Sequence, residues 1–275
     1  MLEQQEKSQG WILPRGQFQE LLDAVSAEGY SIIGPAVRDE TLTYDYIERT
    51  EDLPVGWKDE QDAARFRMKK RDDKKLFAYV QGQRSWKRML YPPKQILTTA
   101  QKTRSGWKME AENPQVEKQA FLGVRPCEIQ AIRVLDKVFR EGPFHDPGYI
   151  ARREKALIIA VNCAEPGGTC FCVSMKTGPR AESGYDLALT EIVDSDRHYF
   201  LLETGSNIGK ELAEKMDLET AGNDEIRAAM EISEKAAQAM GRQLDIGDVP
   251  EMLARNLESA HRSEEHTSEL QSLLI

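Results

Sequence analysis

The chain has 275 residues, enough for one large domain or two small ones with a core of ordinary size. Its 46 acidic residues outnumber 37 lysines and arginines, giving a formal net charge of −9, which argues against nucleic acid as the main partner. The longest apolar run, Ala156 to Val161, falls far short of the roughly 20 residues a bilayer span needs. The N-terminus lacks the apolar centre of a signal peptide, so a soluble cytoplasmic protein is expected.

In chain order, Phe18, Leu21, Leu22 and Val25 predict a short amphipathic helix closed by Gly29. Tyr30 to Gly34 and Leu42 to Ile47 read as strands, the second alternating Leu42, Tyr44 and Tyr46 on one face. The charged stretch Glu51 to Lys75, with Pro54 and Gly56, reads as a loop, and Leu76 to Val80 as another strand. Ser85 to Pro93 interleaves basic and aromatic residues. Trp86 and Lys87 there are candidate contacts for a phosphate or a flavin, with FAD the candidate cofactor; a solvated basic face is the alternative.

Gln119 to Val124 reads as a buried strand, and Pro126 stands where a helix can begin. Ile129, Ile132, Leu135 and Phe139 give that helix one apolar face, with Cys127 in its first turn. There the helix dipole favours a thiolate or a bound anion, and Arg125 adds a fixed positive charge next door. A solvated or salt-bridged arginine is the alternative for Arg125. Ala156 to Val161 reads as a second buried strand delivering Asn162 and Cys163 to its carboxyl end, followed by an irregular turn at Pro166-Gly167-Gly168. Such glycines let backbone N–H groups approach a bulky inorganic centre. Strands are expected at Asp186 to Val193 and Tyr199 to Glu203. Helices follow: one capped by Ser206 and ending near Met216, one from Asp224 to Met240, and one from Val249 to Leu257. The fold class is therefore α/β, a mixed sheet flanked by helices with the cysteines gathered at strand ends.

The cysteines number four: Cys127, and then Cys163, Cys170 and Cys172 close together. In a cytosolic chain such a group points to metal binding or catalysis rather than disulfides. Three readings stand side by side: four thiolates for an iron–sulfur cluster, a structural zinc, and four separate buried cysteines. No Cys-x-x-Cys, Gly-x-Gly-x-x-Gly, phosphate-binding loop or His-Glu-x-x-His is present, and His145 and His198 stand alone.

Two motifs carry a family resemblance. Gly123-Val124-Arg125-Pro126-Cys127-Glu128 is one; Val161-Asn162-Cys163, Glu165-Pro166-Gly167-Gly168-Thr169-Cys170-Phe171-Cys172, Thr177-Gly178-Pro179 and Gly184-Tyr185-Asp186 form the other. With Leu53-Pro54, Gly56-Trp57 and Ser85-Trp86-Lys87, they resemble the iron–sulfur beta subunit of hydrogenase/sulfur reductase (sulfhydrogenase) complexes. An iron–sulfur subunit of anaerobic sulfite reductase belongs to the same group. The resemblance implies an electron carrier with a catalytic subunit on one side and a flavin- or nicotinamide-binding subunit on the other. It also implies a [4Fe–4S] cluster on Cys127, Cys163, Cys170 and Cys172. The alternative is a zinc-stapled interaction domain without a redox role. Two departures stand out: no ferredoxin-like dicluster domain follows Cys172, and Phe66-Arg67-Met68 stands where the family tends to have a Gly and a Tyr-Arg pair. Residues 1–260 are expected to form the α/β domain. The stretch Arg262 to Ser272 resembles a translated short-read sequencing adapter, so residues 261–275 are expected to be a non-native tail.

Overall fold

A computed structural model describes residues 10–62, 65–80, 84–104, 106–111, 116–194 and 196–256. The elements run β1 (Gly10–Pro14), α1 (Phe18–Ala27), β2 (Ser31–Arg38), β3 (Thr41–Tyr46), β4 (Trp57–Asp62), β5 (Arg65–Lys70), α2 (Lys87–Leu90), β6 (Thr98–Thr103) and β7 (Gly106–Ala111). Then come β8 (Gln119–Val124), α3 (Pro126–Phe139), α4 (Pro147–Glu154), β9 (Ala156–Val161), β10 (Leu187–Val193), β11 (His198–Thr204), α5 (Asn207–Lys215), β12 (Glu219–Thr220), α6 (Asn223–Gln238) and α7 (Val249–Arg255). Eight strands form one mixed sheet in the order β12-β1-β11-β10-β9-β8-β2-β3. Its centre, β2-β8-β9-β10, is parallel; β3 on one side and β11, β1 and β12 on the other pair antiparallel. The α/β mixed sheet flanked by helices expected from the sequence is the one observed.

Side-chain alternation explains why this sheet is covered on both faces. In β9, Leu157, Ile159 and Val161 join the core under α1 and α5, while Ile158 and Ala160 join the core under α3 and α4. In β8, Ala120 and Leu122 face the first core and Phe121 and Val124 the second. Gly123, at φ +87°, is the extra residue of a bulge against β9, and a Cβ there would stand 3.2 Å from Pro35. The bulge sits two residues before Arg125, where the chain turns into α3. Helix α6 lies over β10 and β11 through the small residues Ala229, Ser233 and Ala236. Met230 on the same helix is 49% exposed.

Two expectations are corrected. The charged stretch 51–75 is not a loop throughout: a 3-10 turn at Thr50–Asp52 precedes the antiparallel hairpin β4–β5. Leu76 to Val80 joins no sheet. Its N–H groups are taken by side chains instead, Leu76 and Phe77 donating to the Glu191 carboxylate at 2.7 and 2.9 Å and Val80 to Asp59. This leaves Leu76 and Phe77 in the core, with Phe77 against Phe18 and Phe200. The strand expected at Leu42 to Ile47 is β3, an edge strand in which Leu42 is buried, Tyr44 half-buried and Tyr46 exposed. The hairpin β6–β7 and helix α4, capped by Asp146 with Pro147 in its first turn, add to the expected elements. Leu257 and residues 261–275 lie outside the described residues.

Glu191 is buried and also meets His198 at 2.8 Å, so its carboxylate holds three groups at one point. Replacing Glu191 by Ala leaves the Leu76 and Phe77 amides without acceptors. The expected cost is about 2–4 kcal/mol, read as a lower urea midpoint at unchanged slope.

Candidate metal centre

Strands β8 and β9 are adjacent and parallel, so their carboxyl ends open side by side. Cys127 follows β8 at the second residue of α3, and Cys163 follows β9 after Asn162. The Asn162 side chain fixes the exit from β9, accepting from the Ala181 amide and donating to Thr190 Oγ1, both at 2.8 Å. The Cys163 N–H donates to the Pro179 carbonyl at 3.0 Å. Between Cys163 and Pro179 the chain makes a loop that carries Cys170 and Cys172. In it the Cys170 N–H donates to Gly167 O and the Thr177 N–H to Cys172 O.

All four cysteines line one cavity of about 270 Å³, together with Arg125, Phe171, Met175, Thr177, Pro179 and Met240. Cys127 is exposed and the other three are half-buried. Their thiols are nonetheless crowded by protein. Burial first, then the charges of Cys163, Glu128, Cys172 and Cys170, push the Cys127 thiol up to about 12. Burial, then Cys163 and Cys170, pushes Cys172 to about 11. Cys163 and Cys170 are raised too, burial leading in both. The Gly167 amide favours the ionised form of Cys170, and the amides of Cys172 and Val173 that of Cys172. Among the described residues, no three His, Cys, Asp or Glu side chains come close enough to share one metal ion.

Arg125 is not a solvated arginine. It is buried, and Nη2 donates to the carbonyls of Phe77 (2.9 Å) and Tyr79 (2.6 Å), with longer contacts from Nη1 to Asn162 (3.4 Å) and Val161 (3.5 Å). Burial opposes its charge, but Cys163 leads the groups that keep it protonated, and the guanidinium in turn draws the Cys163 thiol down. Its backbone N–H donates to Glu128 at 2.8 Å. Glu128, raised to about 7 by burial, also accepts from the Tyr44 hydroxyl at 2.8 Å.

Trp86 and Lys87 part company. Lys87 is exposed. Trp86 is a core residue, 1% exposed, its ring stacked at 3.9 Å on Tyr44 and 4.9 Å on Phe121 between centroids. At that exposure the ring is enclosed by protein. Its indole N–H leans on Glu128 without reaching hydrogen-bond geometry. The cavity between Trp86, Lys87 and Cys127 measures about 160 Å³, below the roughly 300 Å³ at which organic-ligand pockets begin.

Several supporting residues lie in the stretch the sequence pattern leaves as loop. Glu165 accepts from Arg71 (2.8 and 3.0 Å), Lys75 (2.8 Å) and Lys58 (3.2 Å). Burial would raise Glu165, but these cations outweigh it and hold the carboxyl down to about 2. Thr169 donates to Gln61 Oε1, so the β4–β5 hairpin braces the cysteine loop at two points. From the other side, the Arg242 N–H donates to Cys170 O at 2.9 Å. Gly178 forms part of the wall: a Cβ there would stand 3.2 Å from Cys172 Sγ. Thr177-Gly178-Pro179 is visible as a motif, but its contact with the sulfur is a property of the folded loop alone.

Fold and site together define a sheet-end cavity lined by four cysteines and a buried arginine. Over 130 residues, 46% of its length, the chain is 35% identical to sulfhydrogenase 2 subunit beta of Pyrococcus furiosus, which supports a relation to hydrogenase beta subunits. The matched segment spans 37% of that protein. No family model matches the chain. Among the described residues no helix is long and apolar enough to cross a membrane.

Lysine has one charged nitrogen where arginine has a fork. Arg125→Lys is therefore expected to leave at least one of the Phe77 and Tyr79 carbonyls without its donor. We expect a loss of about 1–3 kcal/mol, seen as a lower urea midpoint, with hydrogen exchange rising first in residues 76–80.

Proposed function

We propose that this chain is the cysteine-bearing part of an electron-transfer subunit of a hydrogenase/sulfur-reductase complex, in the group that also serves anaerobic sulfite reductase. Cys127, Cys163, Cys170 and Cys172 hold one [4Fe–4S] cluster. The observation that carries this reading is that four cysteines from three separate places in the sequence line a single cavity. A cluster bound there supplies one-electron transfer.

The donor set fits the group. Four cysteine thiols on the wall of one cavity are the donor type and number that such a cluster takes. The protein's part is electrostatic. Arg125 places a buried positive charge against Cys163, which favours the more negative, reduced state and raises the potential. The amides of Gly167, Cys172 and Val173, facing the ligand sulfurs, act in the same direction. Phe171 and Met175 line the cavity and are partly exposed, 42% and 44%, so this side is the short route for electrons to a neighbouring protein. The partners are a catalytic subunit on one side of the relay and a flavin- or nicotinamide-binding subunit on the other.

Anaerobic reconstitution of the chain should give brown protein with about four iron and four acid-labile sulfide per molecule, bleached by dithionite. Cys163→Ser and Cys170→Ser should each lose most of the visible absorption while keeping the circular dichroism of the fold. Colourless protein with one zinc per chain, or full iron loading in both variants, would overturn the reading.

A further inference from the structure

A second cavity lies behind the cysteine loop. It measures about 440 Å³ and opens between α3 and α6, with Thr177-Gly178-Pro179 as the wall it shares with the cysteine cavity. This volume is in the range of pockets that take small organic ligands.

Its polar groups are arranged for an anion. Arg180 donates through Nη2 to Glu203 at 2.6 Å, but its Nη1 is buried without a partner. Ser233, 6% exposed on α6, has a buried hydroxyl that is likewise unpartnered. Both residues line this cavity. Buried donors are normally satisfied, and both of these belong to residues that line one cavity, where an entering acceptor would complete them. Two further cations stand on the wall. Lys176, exposed at φ +54°, has no ion pair among the described residues, and Arg133 is bonded to a neutral group, the Ser183 hydroxyl. Arg133, Lys176 and Arg180 thus stand with Glu182 and Glu234 on the wall and Glu203 behind Arg180, so the charges balance. Ile129 and Met230 supply an apolar stretch.

We propose that this cavity binds a small organic anion, its phosphate or carboxylate head on Arg180 Nη1 and Ser233 Oγ between Arg133 and Lys176, its apolar body on Ile129 and Met230. The site stands on these residues alone and does not rest on the cluster assigned above. It does lie one backbone thickness from it, since a Cβ on Gly178 would touch both Cys172 Sγ and Pro126. An occupant would place its charge close to a cluster ligand.

Calorimetric titration and thermal unfolding of the full chain test the proposal, with inorganic phosphate and succinate as separate probes and chloride at matched ionic strength as control. At least one probe is expected to bind saturably with a dissociation constant on the order of 1 mM or tighter and to raise the melting temperature. Binding of phosphate alone assigns a phosphate ester, and of succinate alone a carboxylate. The Arg133→Gln/Lys176→Asn double variant, changed where neither residue is fully buried, should weaken binding at least tenfold. Ser233→Ala removes an unpartnered hydroxyl, so it should leave the free protein at least as stable while weakening the probe. Failure of both probes to saturate, or unchanged affinity in the double variant, would overturn the site.

Discussion

The guanidinium of Arg125 is the point at which sheet, extended segment and cysteine cavity meet. It stands between the carboxyl end of β8 and the start of α3 and reaches the carbonyls of the irregular 77–79 segment. It also approaches those at the end of β9, and it lies against Cys163. A buried cation is tolerated only where its charge and its donors are met. Carbonyls meet the donors here, and the sulfur of Cys163 is the group best placed to meet the charge. The same side chain therefore shapes the fold and places the positive charge beside the cysteines.

Around that point the architecture divides the work. The parallel strands β8 and β9 bring Cys127 and Cys163 together, although 36 positions separate them in the sequence. The loop after β9 contributes Cys170 and Cys172, and it is held by polar contacts rather than by a core of its own. Asn162 fixes its start, the Glu165 ion cluster and Gln61 brace its middle, and the 240–244 segment closes over it. Glu165, partly buried among Arg71, Lys75 and Lys58, has a geometry in which an ion network contributes more than isolated surface pairs do.

How much of this the sequence discloses follows from where side chains point. Strands β8 and β9, buried on both faces, are continuous apolar runs, and α3 carries its proline and its apolar stripe, so all three are legible to the residue. The hairpins β4–β5 and β6–β7 are mostly solvated on both faces; their side chains alternate between nothing and nothing, and the pattern is silent. Leu76 to Val80 misleads for the opposite reason. Its side chains are as apolar as a strand's, but its backbone is satisfied by Glu191, Asp59 and Arg125, partners distant in sequence. In the site, residue type and spacing disclose the four cysteines and Arg125. The roles of Glu165, Gln61 and Gly178 depend on contacts made only after folding. Trp86 shows the limit of composition: an aromatic in a basic stretch looks like a ligand platform, yet its ring is buried and stacked on Tyr44 and Phe121.

The central claim, that four distant sulfurs enclose one polynuclear iron centre, is tested most directly by X-ray absorption at the iron edge on anaerobically reconstituted chain. The account predicts iron surrounded by sulfur alone, with a second shell of iron neighbours. Iron bound mainly by oxygen or nitrogen, with no iron neighbour, would contradict it.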